Sequence, residues 1–224
     1  MFERWITALH IEEVGDESPD ATRARLKDRF PRNATRRMTQ LGLLIGVALE
    51  ALHPEADDAL IYASAYAETR ALEAYLDSFP TPSPTLFQTS IHPSAVQQIL
   101  ITRQQALRQF LPLTGGQHLV IQALLTACLA DTPRVLLCGG EERGTWLLEH
   151  ERASDRSFAF ALALSATPST SCLARIRIKV TDTNSASRPD AALRLPAFFD
   201  LLRTRSDFEG TVLAGRHLNL TWSA

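Results

Sequence analysis

The amino-acid sequence predicts an α/β fold in which a mixed central sheet is covered by helices. Continuous apolar runs of strand length, at 59–64 and 134–138, suit strands buried on both faces. Each is coupled to a segment of helical periodicity, the crossover that neighbouring parallel strands need. Late in the chain, residues 157–164 and 174–180 read as paired strands with no helix between them, which makes the sheet mixed.

Residues 5–11 form a short apolar run suited to an opening strand, and residues 12–37, rich in charge and turn formers, read as loop with one short helix. Between 38 and 52 the positions Leu41, Leu44, Ile45, Ala48, Leu49 and Leu52 recur at helical spacing until His53-Pro54 ends the pattern. The strand at 59–64 leads into a helix over 68–79 whose apolar positions are Leu72, Tyr75 and Leu76. Pro80, Pro82 and Pro84 lack amide donors and restrict the residues before them, so this stretch reads as a stiff loop. A helix over 94–102, with Val96, Ile99 and Leu100, precedes a strand over 106–113. Residues 116–129 make a helix with Leu119, Val120, Ala123, Leu124, Ala127 and Cys128 on its apolar side, and the strand at 134–138 ends in Gly139-Gly140. In 174–180, Ile176, Ile178 and Val180 alternate with Arg175, Arg177 and Lys179, so one face meets water. Residues 181–190, which include Pro189, are loop-like; 195–203 reads as a helix and 217–222 alternates like a closing strand. With no internal repeat or boundary, a single domain over 1–224 is expected.

Composition narrows the function classes. A chain of 224 residues, 45% hydrophobic and 21% charged, can bury a sizeable core. A net charge of -2 and a pI near 6.3 give no basic footprint for nucleic acid or an anionic membrane. No window reaches the length of a membrane span, and the amino terminus lacks the basic-then-apolar pattern of an export signal. Cys128, Cys138 and Cys172 have neither metal-ligand spacing nor the even count of a disulfide framework. No metal or cofactor is expected, and a reducing cytoplasm is the expected location.

Taken singly, the polar residues have modest readings. Cys138 lies before Gly139-Gly140 as a nucleophile on a turn would, but cysteine commonly fills a buried strand as a small hydrophobe, and Cys128 lies on the apolar side of its helix. Gly139-Gly140 lacks the continuation of a phosphate loop and runs into acidic residues. Glu141 and Glu142 are consecutive on a strand end and point apart, which suits structural or solvated roles better than an acid–base pair. His118 lies one turn past Thr114; with no third group to orient it, a helix residue at an interface or in solvent is the simpler reading. Arg23, Arg25, Lys27, Arg29, Arg32, Arg36 and Arg37 make a basic stretch, either a solvated face or a greeting surface for an acidic carrier protein.

Three segments in order resemble the amino-terminal half of β-ketoacyl synthases of the thiolase-like fold: the helix over 38–52, the Pro-rich loop running into Ser90-Ile91-His92-Pro93-Ser94-Ala95, and the strand ending Cys138-Gly139-Gly140-Glu141-Glu142. More particularly they resemble the short ketosynthase-like proteins that act as chain length factors in aryl polyene and related bacterial pigment pathways. The resemblance runs over residues 35–180 and rests on order and spacing, together with a chain that stops where a full-length ketosynthase begins its second half. It departs from the short proteins at Pro93 and Gln97, where their pattern has Asn and Gly.

The resemblance implies a thiolase-like fold whose second half is absent. In the family a strand delivers a nucleophilic cysteine to the amino terminus of a buried helix. Counting back without gaps from Gly139-Gly140-Glu141-Glu142 puts that place at Thr114, within Leu113-Thr114-Gly115-Gly116. A helix amino terminus can bring a thiol into a useful range but not an alcohol. The family's two assisting histidines belong to its second half. A non-catalytic subunit is therefore implied, paired with an active β-ketoacyl synthase in a heterodimer open to higher assembly. It would meet acyl carrier protein through that complex and limit polyketide or aryl polyene length. The family dimer forms across the nucleophile strand, here with Leu113 and Gly115 flanking Thr114, and residues after the Pro-rich segment reach the partner's tunnel. Phe87, Thr89, Ile91 and His92 become the tunnel-closing candidates, although His92 by itself reads as a polar loop residue. Two other readings stay open: a self-contained acyltransferase or hydrolase using Cys138 or Thr114 with His118, and a homodimeric scaffold that binds acyl carriers. A halved fold would expose a sheet edge and apolar surface, so the chain alone is expected to be poorly soluble.

Overall fold

The computed structural model describes residues 1–180 and 192–223, so the loop expected over 181–190 lies outside the described residues. Its frame is a sheet of β1 (Phe2–Glu13), β2 (Ala59–Ser64), β3 (Gln109–Thr114), β4 (Arg134–Glu141), β5 (Phe158–Ser165), β6 (Ala174–Val180), β7 (Phe208–Leu213) and β8 (Arg216–Trp222). The spatial order is β3-β2-β4-β5-β1-β6-β8-β7. β3, β2 and β4 are parallel, and the other neighbours are antiparallel, so the sheet is mixed. β5 and β6 are not partners, however. β1 inserts between them, pairing with β5 along Trp5–Glu13 and with β6 along Phe2–Ile6. Its 12 residues are long enough to serve both neighbours, a long-range solution that local strand signals cannot reveal.

The helices are α1 (Pro19–Leu26), α2 (Arg32–Thr35), α3 (Gln40–Glu50), α4 (Thr69–Asp77), α5 (Pro84–Ser90), α6 (Ser94–Arg103), α7 (Leu119–Leu129) and α8 (Leu195–Thr204). The 12–37 stretch thus holds two short helices rather than one. Pro84 does not belong to a loop but begins α5: the Ser83 hydroxyl accepts the Leu86 amide at 3.3 Å, and a proline at the first helical position gives up a donor that has no partner there. α1 is started by Ser18 and Pro19 in the same way. β7, absent from the sequence reading, pairs with β8 at the sheet's far edge; Glu209 and Gly210 dilute its strand signal.

The sheet is covered on both faces. On one, α3 and α6 bury Leu44, Ile45, Val96 and Ile99 against Tyr62, Leu136 and Cys138. All ten positions from Gln40 to Leu49 are buried, which explains a helix that is apolar nearly all round. On the other, α7 and α8 bring Leu124, Phe198 and Phe199 onto Phe158 and Phe160. Arg156 fastens α8, donating to Asp200 at 3.0 and 3.1 Å and to Glu13 at 2.8 Å while lying over the Phe158 and Phe199 rings. Arg4, buried in β1, donates to the carbonyls of Ala130 and Thr132 where α7 ends, and burial lowers its pKa. Among the described residues no helix is long and apolar enough to cross a membrane.

Gly139-Gly140 serves close packing. A Cβ on Gly139 would lie 2.7 Å from the Ala63 carbonyl oxygen of β2 and 2.7 Å from the Phe160 ring of β5, so neither neighbour tolerates a side chain there. Gly139→Ala is expected to cost about 1–3 kcal/mol through overpacking, read as a lowered midpoint in thermal or urea unfolding.

Candidate functional site

In α/β folds ligands gather beyond the carboxyl ends of the parallel strands. Here that end is built from buried glutamates. Glu141 accepts the amides of Ala65 and Tyr66 at 2.6 and 3.3 Å and the Ser64 hydroxyl at 3.2 Å, holding the loop after β2. Glu142, pointing to the opposite face, accepts the Leu41 amide at 3.1 Å in the first turn of α3. Glu68, just before α4, accepts the Ala95 amide of α6 at 3.1 Å and meets His92 Nδ1 at 2.9 Å. Glu73 of α4 accepts the amides of Thr145 and Leu147, at 2.8 Å each, and the Thr145 hydroxyl at 2.9 Å, where the 3₁₀ helix Trp146–His150 begins. Burial pushes Glu141 up to about 8 against the pull of its amide and hydroxyl donors, and burial also raises Glu142. Burial also acts most strongly on Glu73, but its donors and Arg70 together bring it below the ordinary value. The two neighbouring glutamates do point apart and are structural, not solvated.

Thr114 is the last residue of β3, an edge strand bonded to β2, with Ser64 as its register partner. Its side chain is exposed, and Leu113 and Gly115 beside it are half-buried. α7 begins at Leu119 with no acid in its first turn and no side-chain cap. His118 precedes it, with Nε2 3.1 Å from Gln117 Nε2 and a buried Nδ1 that lacks a partner. Gly116 and Gln117 join Ala65, Tyr66, Ser154 and Arg194 around a cleft of ≈ 660 Å³. Cys138 is fully buried in mid-sheet between Tyr62 and Ala161, where burial pushes its thiol far above the ordinary range, the environment of a structural cysteine. Burial likewise pushes Cys128 up to about 11.

α4 is turned against its apolar pattern. Leu72 and Leu76, two of the apolar positions of its helical pattern, are 37% and 41% exposed, while Glu73 is completely buried. The Glu73 carboxylate must reach Thr145 and Leu147, and that rotation carries the leucines outward. Tyr75 packs on Phe79 and Phe87 with ring centroids 5.5 and 5.3 Å apart, and Phe79, Phe87 and Ile91 are each about half exposed. Two of the four tunnel candidates, Phe87 and Ile91, thus belong to an open apolar surface on α4 and α5. His92 is held instead, its ring stacked on Tyr62 at 5.0 Å and its Nδ1 bound by Glu68. Thr89 is buried and donates to the Leu86 carbonyl at 3.0 Å. At the two departures from the short proteins' pattern, Pro93 follows a cis peptide bond and directly precedes α6, and Gln97 is exposed on that helix. Sequence reasoning missed Glu68 and Glu73. Glu68 carries a faint signal, an acid just ahead of a helical pattern, whereas Glu73 carries none.

This arrangement of parallel strands, buried helix and mixed sheet is the thiolase-like ketosynthase fold. The chain belongs to the family of the β-ketoacyl synthase N-terminal domain, whose family model matches residues 14–223. Among solved structures it is similar to a chain of the ketosynthase (ApeO) in complex with its chain length factor (ApeC) from Xenorhabdus doucetiae, with a TM-score of 0.67 and 18% identity over 99% of this chain and 100% of that one. It is also similar to the ishigamide ketosynthase/chain length factor, with a TM-score of 0.56 and 12% identity over 80% and 68% of the two chains. At these identities the likeness is one of fold. No sequence among the curated proteins matches.

Two outcomes follow from the carboxylates. Glu141 titrates near 8 when folded and from an ordinary value of 4.5 when unfolded, so between those pH values the folded chain keeps a proton that the unfolded chain has released. Its contribution to stability therefore falls as pH rises through that window, by up to about 1.4 kcal/mol per pH unit. Urea midpoints should show the native chain losing stability relative to Glu141→Gln from pH 5 to roughly 8; a gap independent of pH means the carboxylate stays ionised. Glu73→Ala, which orphans buried amides, is expected to cost about 1–3 kcal/mol, whereas Leu72→Ala on the same helix should change stability by no more than about 0.5 kcal/mol.

Proposed function

We propose that this chain is a non-catalytic chain length factor: a single ketosynthase-like domain that pairs with an active β-ketoacyl synthase and limits how far a polyketide or aryl polyene chain grows on its acyl carrier protein. The observation that carries this reading is Thr114. The family's pattern sets a cysteine at the end of this strand, ahead of α7, and here there is an exposed alcohol. A helix amino terminus is worth about 2 kcal/mol at most, roughly 1.5 pKa units, far too little to ionise an alcohol at neutral pH. Cys138 offers no substitute, being sealed in the sheet. The likeness to a chain of a ketosynthase and chain length factor complex, over essentially all of both chains, supports the same reading.

Two features fit a ketosynthase partner. The free edge of β3 offers unpaired main-chain groups, a hazard that proteins normally cover. The exposed Leu72, Leu76, Phe79, Phe87 and Ile91 form the kind of apolar surface that marks an interface. In this reading Phe87 and Ile91 reach the partner's tunnel, and His92, clamped by Glu68, is its rigid stop.

The test is co-expression with the ketosynthase encoded beside this chain, followed by sizing and mass analysis of the products. A one-to-one complex is expected, with Leu76→Asp weakening it at least tenfold and Phe87→Ala or Ile91→Ala leaving it assembled but lengthening the products. Turnover of acyl thioesters by this chain alone, or carrier capture without the ketosynthase, would overturn the reading in favour of an independent enzyme or a scaffold.

A further inference from the structure

We infer that the arginine-lined recess beside the start of α3 is a binding site for a phosphate group, as a small phosphomonoester would present it. The recess, ≈ 200 Å³, is walled by Arg23 of α1, Arg36 and Arg37 after α2, and Arg70 of α4. Arg23, Arg36 and Arg37 belong to the basic stretch between 23 and 37, and Arg70 joins them from α4, in a chain whose net charge is -2.

Their charge is only partly offset from within. Asp20 meets Arg23 at 2.8 Å, but its side chain is 92% exposed, and such a surface pair contributes little. Glu73 meets Arg70 at 3.2 Å while already accepting the Thr145 and Leu147 amides. Glu142, the carboxylate in the wall, is buried and engaged by the Leu41 amide. Arg36 and Arg37 are exposed and form no ion pair among the described residues. Arg23 also donates to the Met38 carbonyl at 3.4 Å, and Arg70 lies 3.5 Å from the Thr145 hydroxyl, so Arg36 and Arg37 carry most of the uncompensated charge.

The chemistry of the walls narrows the ligand. Four arginines around one recess suit an anion with three acceptor oxygens better than a carboxylate with two. The volume admits a phosphate and a few further atoms, not a helix or a peptide. Met38, Ala71, Ala74 and Leu86 line the remainder, an apolar wall fit for the carbon side of a phosphate ester. The inference is independent of the proposed function, and its failure leaves that reading untouched.

The test is titration calorimetry and thermal unfolding of the whole chain with inorganic phosphate and with glycerol 3-phosphate, against sodium chloride at matched ionic strength. Saturable binding is expected for both, with a rise in melting temperature beyond that in chloride. Tighter binding of the ester would identify an organic phosphate as the natural class; equal binding would identify phosphate itself. Arg36→Ala/Arg37→Ala should unfold as the native chain does in chloride and lose affinity at least tenfold. Arg23→Lys, which keeps the charge but removes the fork, should lose affinity as well. Stabilisation no greater than chloride gives, or undiminished binding by both variants, overturns the site.

Discussion

At the carboxyl end of β4 two consecutive glutamates leave the strand on opposite faces, and each is taken up by main-chain amides at the start of a neighbouring segment. A carboxylate withdrawn from water is costly unless its oxygens are hydrogen-bonded. The first amides of a helix or turn are equally in need, because their own segment holds no acceptor for them. Glu141 and Glu142 set these two deficits against each other, with burial still outweighing the donors at both carboxyls. Side chains alternate along a strand, so one dipeptide ties the loop after β2 and the start of α3 to a single point. Glu68 and Glu73 repeat the device further out, at α6 and at the 3₁₀ turn. Gly139 lets the strand come close enough to β2 and β5 for all of this to happen.

The same economy bears on chemistry. Enzymes aim free donors at the place where charge develops during reaction. Here the amides of Ala65, Tyr66, Leu41 and Ala95 already serve the protein's own carboxylates. Those four donors are therefore already engaged within the chain.

Where local pattern decides structure, the sequence could be read closely. The strands Ala59–Ser64 and Ala174–Val180 match the sequence reading to the residue, and α3, α6, α7 and α8 shift by a few positions at their ends. Errors arise where the deciding partner is far away or the local signal is masked. β4 runs three residues beyond its predicted end because Gly139-Gly140 resembles a turn in sequence but is a close-packing site in space. α5 hides behind its prolines, and the place of β1 between β5 and β6 depends on partners more than a hundred residues distant. For the site, Thr114 follows from spacing and resemblance alone. The bonds from Glu68 to Ala95 and from Glu73 to Thr145 span 27 and 72 residues, and nothing in the local sequence marks them.

α4 shows how completing one chain prepares it for another. Periodicity identifies an apolar helical face but not what that face meets. Sending Glu73 inward leaves Leu72 and Leu76 about two fifths exposed, forgoing roughly 0.6–1.2 kcal/mol for each. In the proposed pairing, burial against a partner would recover that term. The β3 edge adds main-chain pairing, but such pairing is indifferent to sequence and invites any strand. Register can come from the edge; discrimination must come from side chains. In the proposed pairing, Leu76, Phe79, Phe87 and Ile91 would be those side chains, with His92 held beside Ile91 by Glu68 and Tyr62.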